Sequence, residues 1–194
     1  MRLFVAITPS VIALGELERV VAPLRASRPE LRWASAESWH VTLAFLGEVN
    51  EKATPRLAIK LGNAAARHRA LGLRTASGGA FPKASRARVL WTGLQGDMDA
   101  LDAIAESVAA AARHAKVPPP DAGRIFRPHI TLARCKEPVN VSDLVESLKS
   151  HAGSPWTADR IHLIRSYLGP RPHYESIGSW ALKPSAGDGV GCQT

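Results

Sequence analysis

Two short phrases repeat within the chain: His40-Val41-Thr42-Leu43 and His129-Ile130-Thr131-Leu132. On an extended strand, alternate side chains share a face. His40 and Thr42 therefore point together, as do His129 and Thr131, while the apolar members point the other way into packing. Two such strands facing each other would offer two imidazoles and two hydroxyls, a set that suits a phosphodiester. The hydroxyls donate to non-bridging oxygens, a neutral imidazole takes a proton from water, and an imidazolium gives one to the departing oxygen. Histidine can do either, because its ordinary pKa of about 6.5 lies near working pH. Strand parity does not say which histidine takes which role.

Other chemistries lack their residues. The chain has no G-x-S-x-G elbow and no Gly-rich phosphate loop with its lysine, which excludes a serine hydrolase of that type and ATP-driven joining. Neither motif strand carries Asp or Glu, so neither a metal nor any other cofactor is expected. The remaining histidines are read as structural. His68 and His114 lie near helix C-termini, where a cation is favourable, and His151, His162 and His173 follow a helix, sit in a strand and sit in a turn.

Parity extends to the neighbours of the motifs. Arg127 shares a face with His129 and is a candidate phosphate contact. Phe45 is a candidate platform for a base, since an aromatic face accepts any base, yet strict alternation turns it away from His40 and into the core. Alternation likewise sets Arg134 opposite His129, so a role there needs the strand to twist or end. Tyr174 and Arg171 belong to a late turn and are expected at the rim of the site.

The elements that must position these residues repeat as well. Arg2–Ile7 reads as a strand, Val11 to about Arg25 as a helix entered through Ser10, and Leu31–Trp33 as a short extended piece. Trp39–Leu46 is the first motif strand, Thr54 to about Arg69 a helix, and Leu71–Ser77 a strand before a Gly78-Gly79 turn. A basic loop, Ala80–Ala87, joins the halves. Then come a strand at Arg88–Leu94, a helix from about Asp97 to His114, a proline loop at Pro118–Asp121 and the second motif strand, His129–Arg134. A helix that Ser142 caps runs to about Ser150, followed by strands at Arg160–Leu168 and Tyr174–Leu182.

Each half thus reads strand, helix, motif strand, helix, strand. The expected fold is α+β: a duplicated, two-lobed, pseudo-two-fold arrangement with antiparallel sheets lining a central cleft and helices outside. Residues 1–183 are expected to form one domain with halves of about 1–80 and 88–183, and 184–194 a disordered tail.

Composition narrows the setting. With 194 residues and 45% hydrophobic content the chain can bury a real core. A net charge of +8 suggests an anionic partner, nucleic acid or a phosphorylated metabolite. Cys135 and Cys192 form no metal or disulfide framework. The apolar run at Arg2–Ile7 stops at Pro9 and is too short for a secretion signal, and no stretch is long enough to span a bilayer. A cytoplasmic monomer is expected, because one duplicated chain already carries both histidines.

The two motifs resemble those of the 2H phosphoesterase superfamily, and more closely those of the bacterial and archaeal RNA 2′,3′-cyclic phosphodiesterases, long called 2′-5′ RNA ligases. The likeness runs through Arg2–Ile7, Trp39–Gly47, Ala80–Pro82, Arg88–Trp91, Phe126–Arg134 and Ser166–Leu168. It implies metal-free hydrolysis of a terminal RNA 2′,3′-cyclic phosphate to a 2′-phosphomonoester. By that resemblance His40 is the proton donor to the leaving 3′ oxygen and His129 the proton acceptor for water, while Thr42, Thr131 and Arg134 hold the phosphate. The partner would be RNA ending in a cyclic phosphate, such as a tRNA fragment. Three alternatives stay open: joining RNA ends through a 2′-5′ bond, hydrolysing a small cyclic nucleotide, and binding RNA ends without chemistry. The intact histidine pair argues against the last.

Overall fold

The computed structural model describes residues 1–120, 123, 125–167 and 173–185. The expectations for Arg171 and for the tail beyond Ser185 lie outside these residues. Among the described residues nine strands are seen: β1 (Arg2–Ile7), β2 (Arg32–Trp33), β3 (Val41–Glu48), β4 (Leu71–Phe81), β5 (Ala87–Gly96), β6 (Ile130–Val139), β7 (Trp156–Ala158), β8 (Arg160–Tyr167) and β9 (His173–Ala181). The α-helices described are α1 (Val11–Ser27), α2 (Thr54–Ala65), α3 (Met98–His114) and α4 (Ser142–Leu148). Ser10 opens α1 as read from sequence, its hydroxyl accepting from the Ala13 N–H at 3.2 Å. At α4 the side chain that accepts is not that of Ser142 but that of Asn140, whose Oδ1 takes the Ser142 N–H at 3.0 Å.

The fold is α+β, and its strands join into one antiparallel sheet in the order β7-β4-β5-β6-β3-β1-β8-β9, with β2 added to β6. Exchanging β1 with β5, β3 with β6, β4 with β8 and β7 with β9 reverses this order without changing it. The pseudo-two-fold axis therefore passes between β3 and β6. There the two halves of the sheet meet through one residue pair, Val41 with Ile130. These are equivalent positions of the two repeated phrases, as an axis through the pair requires.

The halves of the sheet are not the halves of the chain. β4 pairs with β5, and β8 pairs with β1. Each half of the sheet thus takes strands from the other half of the sequence, β2 and β4 on one side and β8 and β9 on the other, which ties the lobes covalently as well as through the axis. Sequence alone reads only element order, and pairing partners are settled by which apolar faces bury together.

Residues 78 and 79 do not turn the chain. β4 runs through them to Phe81, and the reversal comes at residues 82–86, a segment that includes one short 3₁₀ turn. The glycines are needed for space on both faces. A Cβ at Gly78 would lie 2.5 Å from the Leu148 Cβ, and one at Gly79 would lie 2.3 Å from Cζ2 of Trp91. Gly79→Ala is therefore expected to lower unfolding free energy by about 1–3 kcal/mol, as overpacking of a filled site does, in urea titration. An unchanged midpoint would mean that the Trp91 indole has room to move.

The main core unites Leu3, Val5 and Ile7 of β1 with Leu57 and Leu61 of α2 and with Leu101, Ile104 and Val108 of α3. Phe4, Ala6 and Ile164 form a separate small cluster on the opposite face of the sheet. That second face is the floor of the site. Among the described residues no helix is long and apolar enough to cross a membrane.

Candidate active site

Both histidines stand immediately before the strand residues that meet on the axis. Each is tied in the same way: His40 Nδ1 lies 2.7 Å from the Ser38 carbonyl oxygen, and His129 Nδ1 lies 2.6 Å from that of Arg127. A carbonyl only accepts, so Nδ1–H donates in both cases. Nε2 is left as the nitrogen that gains or loses a proton, and the ring orientation is fixed by the backbone two residues earlier.

The two imidazoles border one cleft of about 1240 Å³, which Thr42, Phe45, Arg127, Thr131, Arg134 and Tyr174 also line. All the site residues read from the sequence, apart from Arg171, are thus brought together. Two of them arrive by a route that strict alternation does not allow. On β1, Ala6 faces Thr42 and Val5 faces Ala44, so Leu43 is an extra residue in β3. On β5, Trp91 faces Thr131 and Leu90 faces Ala133, so Leu132 is extra in β6. These are β-bulges at equivalent places, and a bulge re-aims the side chains that follow it. Leu43 and Ala44 are consequently buried in succession, as are Leu132 and Ala133.

Phe45 then pairs with Phe4, and Arg134 with Val89. Both return to the face of the histidines. Of the two readings of Phe45, base platform and core packing, the second does not occur: the residue is 42% exposed and its ring lies 6.1 Å from that of Phe4. Equivalent bulges free Phe45 and Arg134, so the two-fold places an aromatic ring at one end of the cleft and a guanidinium at the other.

Aromatic rings wall both imidazoles. Phe4 and Tyr174 lie 4.6 and 5.3 Å from His40, and Phe81 and Trp91 lie 5.0 and 6.2 Å from His129, between ring centroids. Nothing in the sequence marks Phe4, Phe81 and Trp91 as site residues. The available signal was an aromatic residue on each neighbouring strand, which by itself reads as ordinary core. The walls have an electrostatic consequence. Burial pushes His40 down to about 4, Arg134 and His129 push the same way, and the bond to the Ser38 carbonyl opposes them. Burial also lowers His129, again with help from Arg134 and against its bond to the Arg127 carbonyl. Both rings are therefore mainly neutral at pH 7 in the free protein, and each becomes easier to protonate when an anion offsets Arg134.

Among the described residues no three His, Cys, Asp or Glu side chains converge as metal ligands. Arg134 has no carboxylate partner among them either, whereas Arg25 and Arg28 are held by Glu18, Glu30 and Asp143. Two neutral-poised imidazoles, paired hydroxyls and an unneutralised guanidinium offer the chemistry that a phosphate ester would need.

Comparison with known proteins agrees. The family model described as LigT like Phosphoesterase matches residues 9–91 and again 94–174, once for each half. A relative from Aeropyrum pernix, named RNA 2′,3′-cyclic phosphodiesterase, is 30% identical over 136 residues, 70% of this chain and 75% of its own. One of the same name from Thermus thermophilus is 30% identical over 197 residues, covering 96% of this chain and 93% of its own. Among solved structures, TT0787 of Thermus thermophilus has a TM-score of 0.75 and 26% identity, covering 95% of this chain and 99% of that one. E. coli LigT complexed with 3′-AMP has a TM-score of 0.72 and 25% identity, covering 93% and 97%. With the fold, the paired motifs and the family match in agreement, this chain is an enzyme of the LigT-like phosphoesterase family.

Proposed function

We propose that the enzyme hydrolyses the terminal 2′,3′-cyclic phosphodiester of RNA to a 2′-phosphomonoester without a metal ion. One observation carries this reading: two imidazoles with Nδ1 tied to backbone flank the axis of one cleft beside the unneutralised Arg134. Water attacks phosphorus, and its proton passes to Nε2 of His129. The P–O3′ bond breaks, and O3′ takes a proton from Nε2 of His40. The hydroxyls of Thr42 and Thr131, with Arg134 and Arg127, hold the non-bridging oxygens. The terminal nucleoside rests beside His40, its base against Phe45 and Tyr174. The names of the relatives and the 3′-AMP bound to E. coli LigT support a nucleotide ligand. Residues 1–183 act as one domain with halves of about 1–80 and 88–183, and because one chain supplies both histidines, a monomer suffices.

The test is an oligonucleotide ending in a 2′,3′-cyclic phosphate, assayed in EDTA, with the product identified by phosphorus NMR. Turnover to a 2′-phosphate is expected. Loss of activity to EDTA would end the metal-free reading, and a 3′-phosphate product would exchange the leaving oxygen.

The pH dependence follows from the lowered imidazoles. Productive encounter needs one proton shared by the pair, and the free protein holds that proton only below the ordinary histidine pKa. From pH 8 down to about 6.5, kcat/KM is expected to rise roughly tenfold per unit. The corresponding fall in kcat should lie at higher pH, because the bound phosphate favours the imidazolium. A flat kcat/KM between pH 6 and 8 would contradict this protonation scheme.

A further inference from the structure

β2 adds to β6 on the edge opposite β5, where β6 and β3 separate beyond the Val41–Ile130 pair. Its register sets Arg32 directly across from Arg134 and Trp33 across from Ala133. Directly opposed residues of an antiparallel pair share a face, with Cβ atoms about 4.5–5.5 Å apart. Ala133 is buried, and the Trp33 indole N–H donates to the Arg28 carbonyl at 2.8 Å on that inner face. Arg32 therefore stands on the cleft side with Arg134, and both are exposed.

Two guanidiniums in this relation repel, and like charges directly opposed destabilise a sheet. Nothing among the described residues relieves them. Neither side chain has an ion-pair or hydrogen-bond partner there, and Glu30, two residues before Arg32, is held by Arg28 at 2.7 Å. Arg134 lines the cleft beside both histidines, so under the reading above its charge serves the reacting phosphate. Arg32 is displaced from it by one strand and stands outside the lining of the cleft. A single reacting phosphate leaves the second cation without a counter-charge, whereas a chain with another phosphate nearby supplies one.

We propose that Arg32 is a specificity-determining residue that binds the phosphodiester next to the reacting one, so that the enzyme favours an RNA chain over a nucleoside cyclic phosphate. This rests on the cyclic phosphodiesterase reading above.

The test compares wild type and Arg32→Gln on three substrates: a nucleoside 2′,3′-cyclic phosphate, an oligonucleotide with a terminal cyclic phosphate, and that oligonucleotide with a neutral methylphosphonate at the next linkage. For Arg32→Gln the ratio of kcat/KM on oligonucleotide to that on nucleoside is expected to fall about tenfold, the scale of one charge-assisted contact. The methylphosphonate should cost wild type a similar factor and cost the variant little more. The salt slope of log kcat/KM on the oligonucleotide should shrink by about 0.7, as for one phosphate contact on a single strand. An unchanged ratio, or a methylphosphonate penalty equal in wild type and variant, would overturn the role of Arg32 while leaving the hydrolase reading intact. Wild-type inactivity on both unmodified substrates would instead overturn that reading, and the inference with it.

Discussion

Replacing either histidine with asparagine is expected to lower kcat on a cyclic-phosphate oligonucleotide by about 10²–10⁴-fold, the usual worth of one general acid or base. Asparagine is the informative choice. Its amide N–H can keep donating to the carbonyl of Ser38 or Arg127, so the backbone tie that positions the ring is retained while the titrating nitrogen is lost. Unchanged thermal unfolding would show that the loss is chemical.

The residual activities should separate the roles. His129→Asn retains only the proton donor, so its rate should fall as pH rises and lose the limb at low pH. His40→Asn retains only the proton acceptor, so its rate should rise with pH to a plateau. The opposite limbs would exchange acid and base between the two histidines. Near-normal turnover by either variant would refute two-histidine catalysis. Equivalent places about the axis do not make the two rings alike, because the aromatic walls and the nearby charges differ in strength on the two sides.

Arg134→Gln is expected to lower kcat/KM by about 10²-fold, comparable to losing one preorganised donor to a developing oxyanion. A second effect has the opposite sign. Burial is the main reason both imidazoles are lowered and Arg134 adds to it, so its removal should let both rise part of the way. The variant would be slower throughout, yet its kcat/KM would persist to higher pH before declining. Arg134→Lys should retain the charge, and with it the wild-type position of that decline, while losing bidentate geometry and part of the rate. A slow variant with an unmoved profile would mean that Arg134 supports structure rather than the field on the histidines.

Much of the fold was legible. The periods of α1, α2 and α3, the continuous apolar run of β1 and the apolar residues of β8 mark these elements, and the repeated order marks the duplication. β7 was not legible, since three residues are too few to show a period. Gly78 and Gly79 read as a turn because glycine permits one, but there it answers Leu148 and Trp91 pressing on opposite faces. Trp91 and Phe81 look like core in sequence, and only their approach to His129 makes them the wall of a site.

The sequence by itself determined the candidate set: two His-x-Thr strands at matched places, with hydroxyl and imidazole on one face because β side chains alternate. The tertiary structure alone decided how the two strands meet, at Val41 and Ile130, and the exchange of β4 and β8 between the halves of the sheet. It also decided the reach of Phe45 and Arg134. Alternation turns both away, and one extra leucine in each motif strand turns them back. A bulge is defined by the neighbouring strand, where two residues oppose one, so it exists only once the partner is in place.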